Sequence, residues 1–269
     1  MIKHIFSDMD GTLLQSNCKI SENTIKTIKE SQIPFTLVSA RSPQEMVESI
    51  ADLELHEPQI AFNGGLIFQQ TPNGKKVLQE TPINPEGIKQ VLTILRQDFP
   101  DISCSLYDLE NWYIEKVDKG IEYEAQVCDF DPVIVDFVSL LKQTDLKIFK
   151  IMLISFDDAE MKALNEKLQH LNKAGLAVTQ SARNYLEITD NLAKKSRGVQ
   201  YIQELEELAK DDLAAFGDGY NDLVMLKQVG TPIVMDNALP GVKEYAKYVT
   251  KDNDNDGVAY GILNYLTDK

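Results

Sequence analysis

The sequence predicts an α/β fold in which a parallel sheet covered by helices is interrupted by a smaller α+β insert. Three observations carry this reading. Residues 2–62 alternate short apolar runs with amphipathic stretches in strand, loop, helix order; residues 83–186 change texture to short strands and few helices; and the first rhythm resumes after Lys195. The two ends are therefore expected to share one sheet, residues 1–82 with 187–269, with residues 83–186 set between them as a cap.

Residues 2–7 are apolar enough for a buried strand and stop at Asp8-Met9-Asp10-Gly11, where glycine permits a sharp turn. One strand thus delivers two carboxylates to its C-terminal end. Residues 22–31 read as a helix, Pro34 breaks the chain, and residues 35–38 form a second apolar run ending at Ser39-Ala40-Arg41. Ser42-Pro43-Gln44-Glu45 opens the next helix, with a capping hydroxyl, proline at the first helical position and glutamate at the third. A third strand, residues 59–62, ends at Asn63-Gly64-Gly65, which makes a tight turn and is open to a binding role. Ligands of such sheets bind beyond the carboxyl ends of the strands, where the Asp8, Ser39 and Asn63 loops all lie.

Further on, residues 66–68 and 76–79 flank Pro72-Asn73-Gly74, a hairpin signal, and Asn84-Pro85-Glu86 opens a helix. The insert reads as strands at 103–107, 112–116, 147–155, 177–179 and 185–188, with helices near 86–98 and 158–172. Trp112 and Tyr113 are read as core of this insert rather than as substrate contacts. The final third runs from a helix ending near Lys210 through a strand at 213–216 to Gly217-Asp218-Gly219-Tyr220-Asn221-Asp222, then a helix and a strand at 232–235.

Composition limits the partners. With 42 Asp plus Glu against 27 Lys plus Arg, the net charge of −15 repels nucleic acid and anionic membrane surfaces. An anionic small substrate must then be met by local positive groups and a metal. The start has too short an apolar run for a secretory signal, and no stretch reaches the roughly 20 apolar residues of a membrane span, so a cytoplasmic protein is expected. Cys18, Cys104 and Cys128 are widely spaced and read as reduced thiols; His4, His56 and His170 stand alone and read as packing or surface residues. The oligomeric state is not legible.

A phosphate monoester resists hydrolysis because its negative charge repels nucleophiles, so its oxygens must be neutralised, a nucleophile placed in line and the leaving group protonated. This chain carries a candidate for each task. Asp8 can attack phosphorus and form an aspartyl-phosphate, and Asp10 can protonate the leaving alkoxide and later deprotonate water. Asp8, the Asp10 main-chain carbonyl and Asp218 offer the hard oxygens that magnesium requires. Lys195 suits a phosphoryl oxygen, and the Ser39 hydroxyl and the amides of Met9 and Ala40 can donate to others.

Asp8-Met9-Asp10-Gly11-Thr12-Leu13-Leu14 resembles the DxDGTLL signature of the haloacid dehalogenase-like phosphatases. Ser39-Ala40-Arg41 resembles that family's second motif, whose hydroxyl binds phosphate. Gly217-Asp218-Gly219-Tyr220-Asn221-Asp222 resembles its GDxxND motif, which implies Asp218 on magnesium, Asn221 on phosphate and Asp222 supporting the metal. Met235-Asp236-Asn237-Ala238 and Asp256-Gly257-Val258-Ala259 are similar to its MxNA and DGVA segments. Its lysine follows a Leu-Glu-Ile strand by a fixed interval in the Cof-type subgroup. Counted from Leu186-Glu187-Ile188, that interval selects Lys195 over Lys194, with Ser196 where glycine is usual. The resemblance implies a Rossmann-like core, a C2-type cap, Mg2+ and hydrolysis of small phosphorylated metabolites, sugar phosphates foremost.

Alone, Asp8-x-Asp10-Gly11 is also what an ordinary acidic turn looks like; its company at successive strand and helix ends favours catalysis. Arg41 is open between a surface role and a substrate contact. Asp252-Asn253-Asp254-Asn255-Asp256-Gly257 matches half of an EF-hand loop, but Leu263 stands where the bidentate glutamate belongs, so a polar turn is expected. The rival readings are a phosphosugar mutase using the same aspartyl-phosphate, a phospho-acceptor signalling module and a metabolite-binding protein.

Overall fold

The computed structural model describes residues 1–126 and 130–267. Cys128, one of the three expected thiols, lies outside the described residues; Cys18 and Cys104 are free. The chain divides into two compact units, the first comprising Met1–Ala40, Met46–Glu80 and Lys194–Lys269, the second Arg41–Glu45 and Thr81–Ala193.

In chain order the elements begin with β1 (His4–Ser7), α1 (Glu22–Ser31), β2 (Phe35–Leu37), α2 (Pro43–Asp52), β3 (Gln59–Ala61), β4 (Leu66–Thr71) and β5 (Gly74–Glu80). There follow α3 (Pro85–Asp98), β6 (Ser103–Tyr107), β7 (Trp112–Ile114), α4 (Lys119–Glu124), β8 (Val133–Ile134), α5 (Phe137–Leu140), β9 (Lys150–Ile154) and α6 (Asp158–Leu168). The chain continues through β10 (Leu176–Ala182), β11 (Tyr185–Asp190), α7 (Lys195–Leu205), β12 (Leu213–Gly217), α8 (Leu223–Leu226), β13 (Thr231–Val234), β14 (Tyr248–Val249) and α9 (Gly257–Gly261).

The first unit is built on a five-stranded sheet of order β14-β13-β12-β1-β2, parallel throughout. Its strands other than the edge strand β14 are largely buried on both faces, as helix-covered parallel strands are, and all four residues of β1 are buried although His4 and Ser7 are polar. Phe6, Val199, Ile202, Leu213, Ala215 and Val234 belong to one buried cluster. Helix α1 starts where the Ser21 side chain accepts the Thr24 amide, an ordinary capping bond. Because β12, β1 and β2 are adjacent and parallel, the residues that follow them, Asp218, Asp8 and Ser39, emerge at one edge of one sheet.

The third strand departs from expectation. It pairs antiparallel with β4, in a separate sheet β3-β4-β5, and meets β2 at an isolated parallel bridge between Val38 and Ile60. The turn at Phe62–Gly64 folds β4 back on β3, and the ladder to β2 is cut short because the Gln59 side-chain oxygen accepts the Leu37 amide at 2.7 Å in place of a main-chain partner.

The second unit carries a six-stranded sheet of order β10-β11-β9-β6-β7-β8. Its pairings are antiparallel apart from β7 with β8. Alternate residues Leu106, Ile151, Leu153, Leu186 and Ile188 pack with Val91, Leu95, Leu164 and Leu168 of α3 and α6 into one core. Trp112 is fully buried and donates from Nε1 to the Ser105 hydroxyl at 2.7 Å. Strand β11 pairs with β9 and β10 along its length, so the strand that a sequence boundary at residue 187 divides lies whole in this unit. Helices α4 and α5 and the two-residue strand β8 have no counterpart in the sequence reading, since elements this short show too few turns or alternations for a period to register.

Candidate active site

Asp8 follows β1 directly and is 6% exposed, with its amide donating to the Phe216 carbonyl of β12 at 3.1 Å. The next turn is tight: the Met9 carbonyl accepts the amides of Thr12, Leu13 and Leu14, and Asp10 bridges Leu14. Gly11 takes the left-handed φ of 74°, and a Cβ there would stand 2.5 Å from Asp218 Oδ2. Only glycine lets this turn lie against that carboxylate. Asp10 itself is exposed at the turn.

Lys195, the first residue of α7 and 1% exposed, is the ionic centre of the site. Its ammonium donates to Asp8 Oδ1 at 2.6 Å and to Asp222 Oδ1 at 2.7 Å. The other Asp222 oxygen accepts the amides of Asp218 at 2.9 Å and Gly219 at 2.8 Å, so this fully buried carboxylate ties the lysine to the Gly217–Asp222 loop. Asp218 is steadied in turn by the Thr12 hydroxyl, which donates to Oδ1 at 2.8 Å. Thr12 is a site residue to which sequence reasoning gave no role; its place within the Asp8–Leu14 segment, two residues after Asp10, was the available signal.

Burial and mutual repulsion of the carboxylates suit this site to a cation. Burial, then the Asp222 charge, pushes the Asp8 carboxyl well above its ordinary range, with Lys195 opposing the rise. Burial also raises Asp218 to about 6, against the Thr12 hydrogen bond and with Asp222 adding to the rise. Burial alone would lower Lys195, but the Asp222 and Asp8 charges and hydrogen bonds outweigh it and hold the ammonium above its usual range. Three carboxylates, Asp8, Asp218 and Asp222, offer oxygens within 4.8 Å of one another, the one such group among the described residues. A single ammonium leaves them with surplus negative charge, and hard oxygens at this spacing fit a divalent cation. The Asp10 carboxylate is not part of this group.

The expected phosphate-holding residues lie alongside. Ser39 is fully buried; its amide donates to the Ile60 carbonyl, and its carbonyl accepts the Asn63 amide at 2.8 Å. Asn63 Oδ1 accepts from the Asn221 side chain at 3.4 Å, so the loops after β2, β3 and β12 are linked in series. Met9 is buried and Ala40 half-buried, whereas Arg41 groups with the second unit. The acidic loop at 252–257 is the polar turn expected: the Asp252 carboxylate accepts the Asn255 amide at 2.8 Å. His4 is a packing residue, fully buried between Thr36 and Glu206 at 2.9 Å from each.

A family model described as haloacid dehalogenase-like hydrolase matches residues 5–262. A Haemophilus influenzae protein is 31% identical over 270 residues, covering 96% of each chain. The 5-amino-6-(5-phospho-D-ribitylamino)uracil phosphatase YwtE of Bacillus subtilis is 29% identical over 292 residues, covering 99% of each. Among solved structures, a haloacid dehalogenase-like hydrolase from Bacteroides thetaiotaomicron superposes with a TM-score of 0.88 at 26% identity, covering 98% of this chain and 99% of its own.

Proposed function

Because the chain belongs to the haloacid dehalogenase-like hydrolase family and is a phosphoric monoester hydrolase, we propose that Asp8 is its covalent nucleophile and Mg2+ its cofactor. The proposed substrates are small phosphorylated metabolites, sugar phosphates foremost. The observation that most supports this reading is the Lys195 ammonium shared between Asp8 and Asp222, with Asp218 completing an acidic group suited to a divalent ion.

In this mechanism Asp8 and Asp218, with the Asp10 carbonyl, would hold the metal, and Asp222 holds Lys195 and the Asp218 loop in place. Bound there, Mg2+ supplies positive charge to phosphoryl oxygens and favours ionised carboxylates. Lys195, the Ser39 hydroxyl, the Met9 and Ala40 amides and Asn221 neutralise and orient the phosphoryl group. The ionised Asp8 carboxylate attacks phosphorus in line, and Asp10 protonates the departing oxygen. Asp10 then takes a proton from the water that releases phosphate and restores Asp8. As the first residue of α7, Lys195 also has the positive end of that helix behind it.

The test is phosphate release from sugar phosphates, nucleotides and phosphorylated cofactors with Mg2+ or EDTA, comparing the unaltered protein with Asp8→Asn. The relative named for 5-amino-6-(5-phospho-D-ribitylamino)uracil puts a phosphoribityl compound on the same panel. Release that requires Mg2+ and disappears in Asp8→Asn is expected. Release that persists in Asp8→Asn would rule out this nucleophile.

A further inference from the structure

The Met235-Asp236-Asn237-Ala238 and Asp256-Gly257 segments have no part in the chemistry above, yet both are fastened to the stretch of chain that leaves Asp10. The Asn237 side-chain amide donates to the Gly11 carbonyl at 2.8 Å, and its oxygen accepts the Asn253 amide at 3.1 Å. The Asn253 side chain donates to the Leu14 carbonyl at 2.9 Å. The Asp254 carboxylate accepts the Ser16 amide at 2.7 Å and the Ser16 hydroxyl at 2.6 Å. The Asp256 carboxylate accepts from the Ser21 hydroxyl at 2.5 Å and the Asn23 side chain at 2.9 Å. A loop more than 200 residues away in sequence is therefore bonded at successive points along residues 11–23.

The first of these bonds bears on catalysis. Asp10 is exposed on a turn whose next residue is glycine, the residue type with the widest choice of backbone angles. Nothing in the Gly11 side chain can hold the turn, so its orientation depends on its backbone partners. Thr12 is anchored to Asp218 on one side, and the Gly11 carbonyl is anchored by Asn237 on the other. A proton donor must reach the leaving oxygen within hydrogen-bond distance, and displacement of a catalytic group by about 1 Å costs as much as about 100-fold in rate.

We propose that Asn237 is a positioning residue for Asp10, locking the Gly11 turn so that the Asp10 carboxyl is presented to the leaving-group oxygen. Asn253 supports it by fixing the Asn237 amide and the Leu14 carbonyl. The proposal rests on Asp10 being the general acid.

The test separates a positioning role from a structural one by leaving-group dependence. An alkyl alkoxide must be protonated as it departs, whereas p-nitrophenolate is stable enough to leave unprotonated. In Asn237→Ala, kcat/KM for glycerol 3-phosphate or another alkyl phosphate is expected to fall by about 10-fold or more, with p-nitrophenyl phosphate affected less than about threefold. Asp10→Asn should show the same selectivity, and Asn237→Ala should add little to it in the double variant. Asn237→Asp retains the oxygen that accepts from Asn253 and loses the donor to Gly11; with circular dichroism matching the unaltered protein, it should repeat the pattern even if Asn237→Ala folds poorly. Equal losses on both esters, no loss, or fully additive losses in the double variant would overturn the role of Asn237. A flat leaving-group response in Asp10→Asn would overturn the acid assignment itself, and the proposal with it.

Discussion

Asp222 is where the geometry of the site converges, one oxygen on Lys195 and the other on two consecutive amides. That arrangement leaves Asp8 and Asp218 as the carboxylates with capacity for a metal. It also makes the site pH-sensitive in a definite direction. An Asp218 pKa of about 6 in the fold, against about 3.9 for an unfolded aspartate, means that the native metal-free protein keeps a proton the unfolded chain has released. Metal-free stability from this group is therefore present below about pH 4 and lost as pH rises to about 6. Mg2+ should replace that proton. The rise in Tm on adding Mg2+ is expected to be clear at pH 7.5 and to shrink toward zero at pH 5, measured by thermal unfolding with and without EDTA. An equal rise at both values would exclude these carboxylates as the binding group.

At the level of elements, the start of α7 depends on how closely another loop approaches it. Gly64, in the turn after β3, has a φ of 97°, and a Cβ there would stand 2.2 Å from the Lys194 carbonyl oxygen. That carbonyl immediately precedes Lys195, so the contact sets where the ammonium begins. Gly64→Ala is expected to cost about 1–3 kcal/mol in stability from the positive φ and the overlap. It should also lower kcat, because relief of the overlap displaces the first turn of α7. Denaturant unfolding and steady-state kinetics on the same preparation check both. A loss of stability with kcat unchanged would show that the turn strains without moving the lysine.

At the level of the whole molecule, the net charge of −15 opposes the approach of any phosphate ester, while the positive groups that hold it are few and local. Screening should therefore help encounter. With Mg2+ saturating, kcat/KM for a dianionic substrate is expected to rise as KCl is increased from about 20 to about 200 mM, as the Debye length falls from roughly 20 Å to below 10 Å. Because kcat reports events after binding, it should stay nearly constant. A fall in kcat/KM over that range would mean that the local cationic field dominates the approach.

The apolar runs ending at Asp8, Ser39 and Gly217, the proline-led start of α2 and the change of texture near residue 83 are local features, decided by side-chain period and turn chemistry within a few neighbours, and they were legible in the sequence. So was the placing of Asp8 and Asp218 directly after strands, because an apolar run that stops at a carboxylate and a glycine marks a strand end. The shortness of the β2–β3 ladder was not legible, since there the Gln59 side chain takes the Leu37 amide and only the Val38–Ile60 bridge remains. Nor were the short elements α4, α5 and β14. The sequence alone therefore determined which residues stand at the ends of strands. That Lys195 touches Asp8 across 187 residues and that Asn237 holds Gly11 across 226 were decided by the tertiary structure. The sheet order β13-β12-β1 sets the loops after β12 and β13 beside Asp8, and α7, packed on that sheet through Val199 and Ile202, brings Lys195 to them; no local pattern encodes an adjacency created by the packing of distant elements.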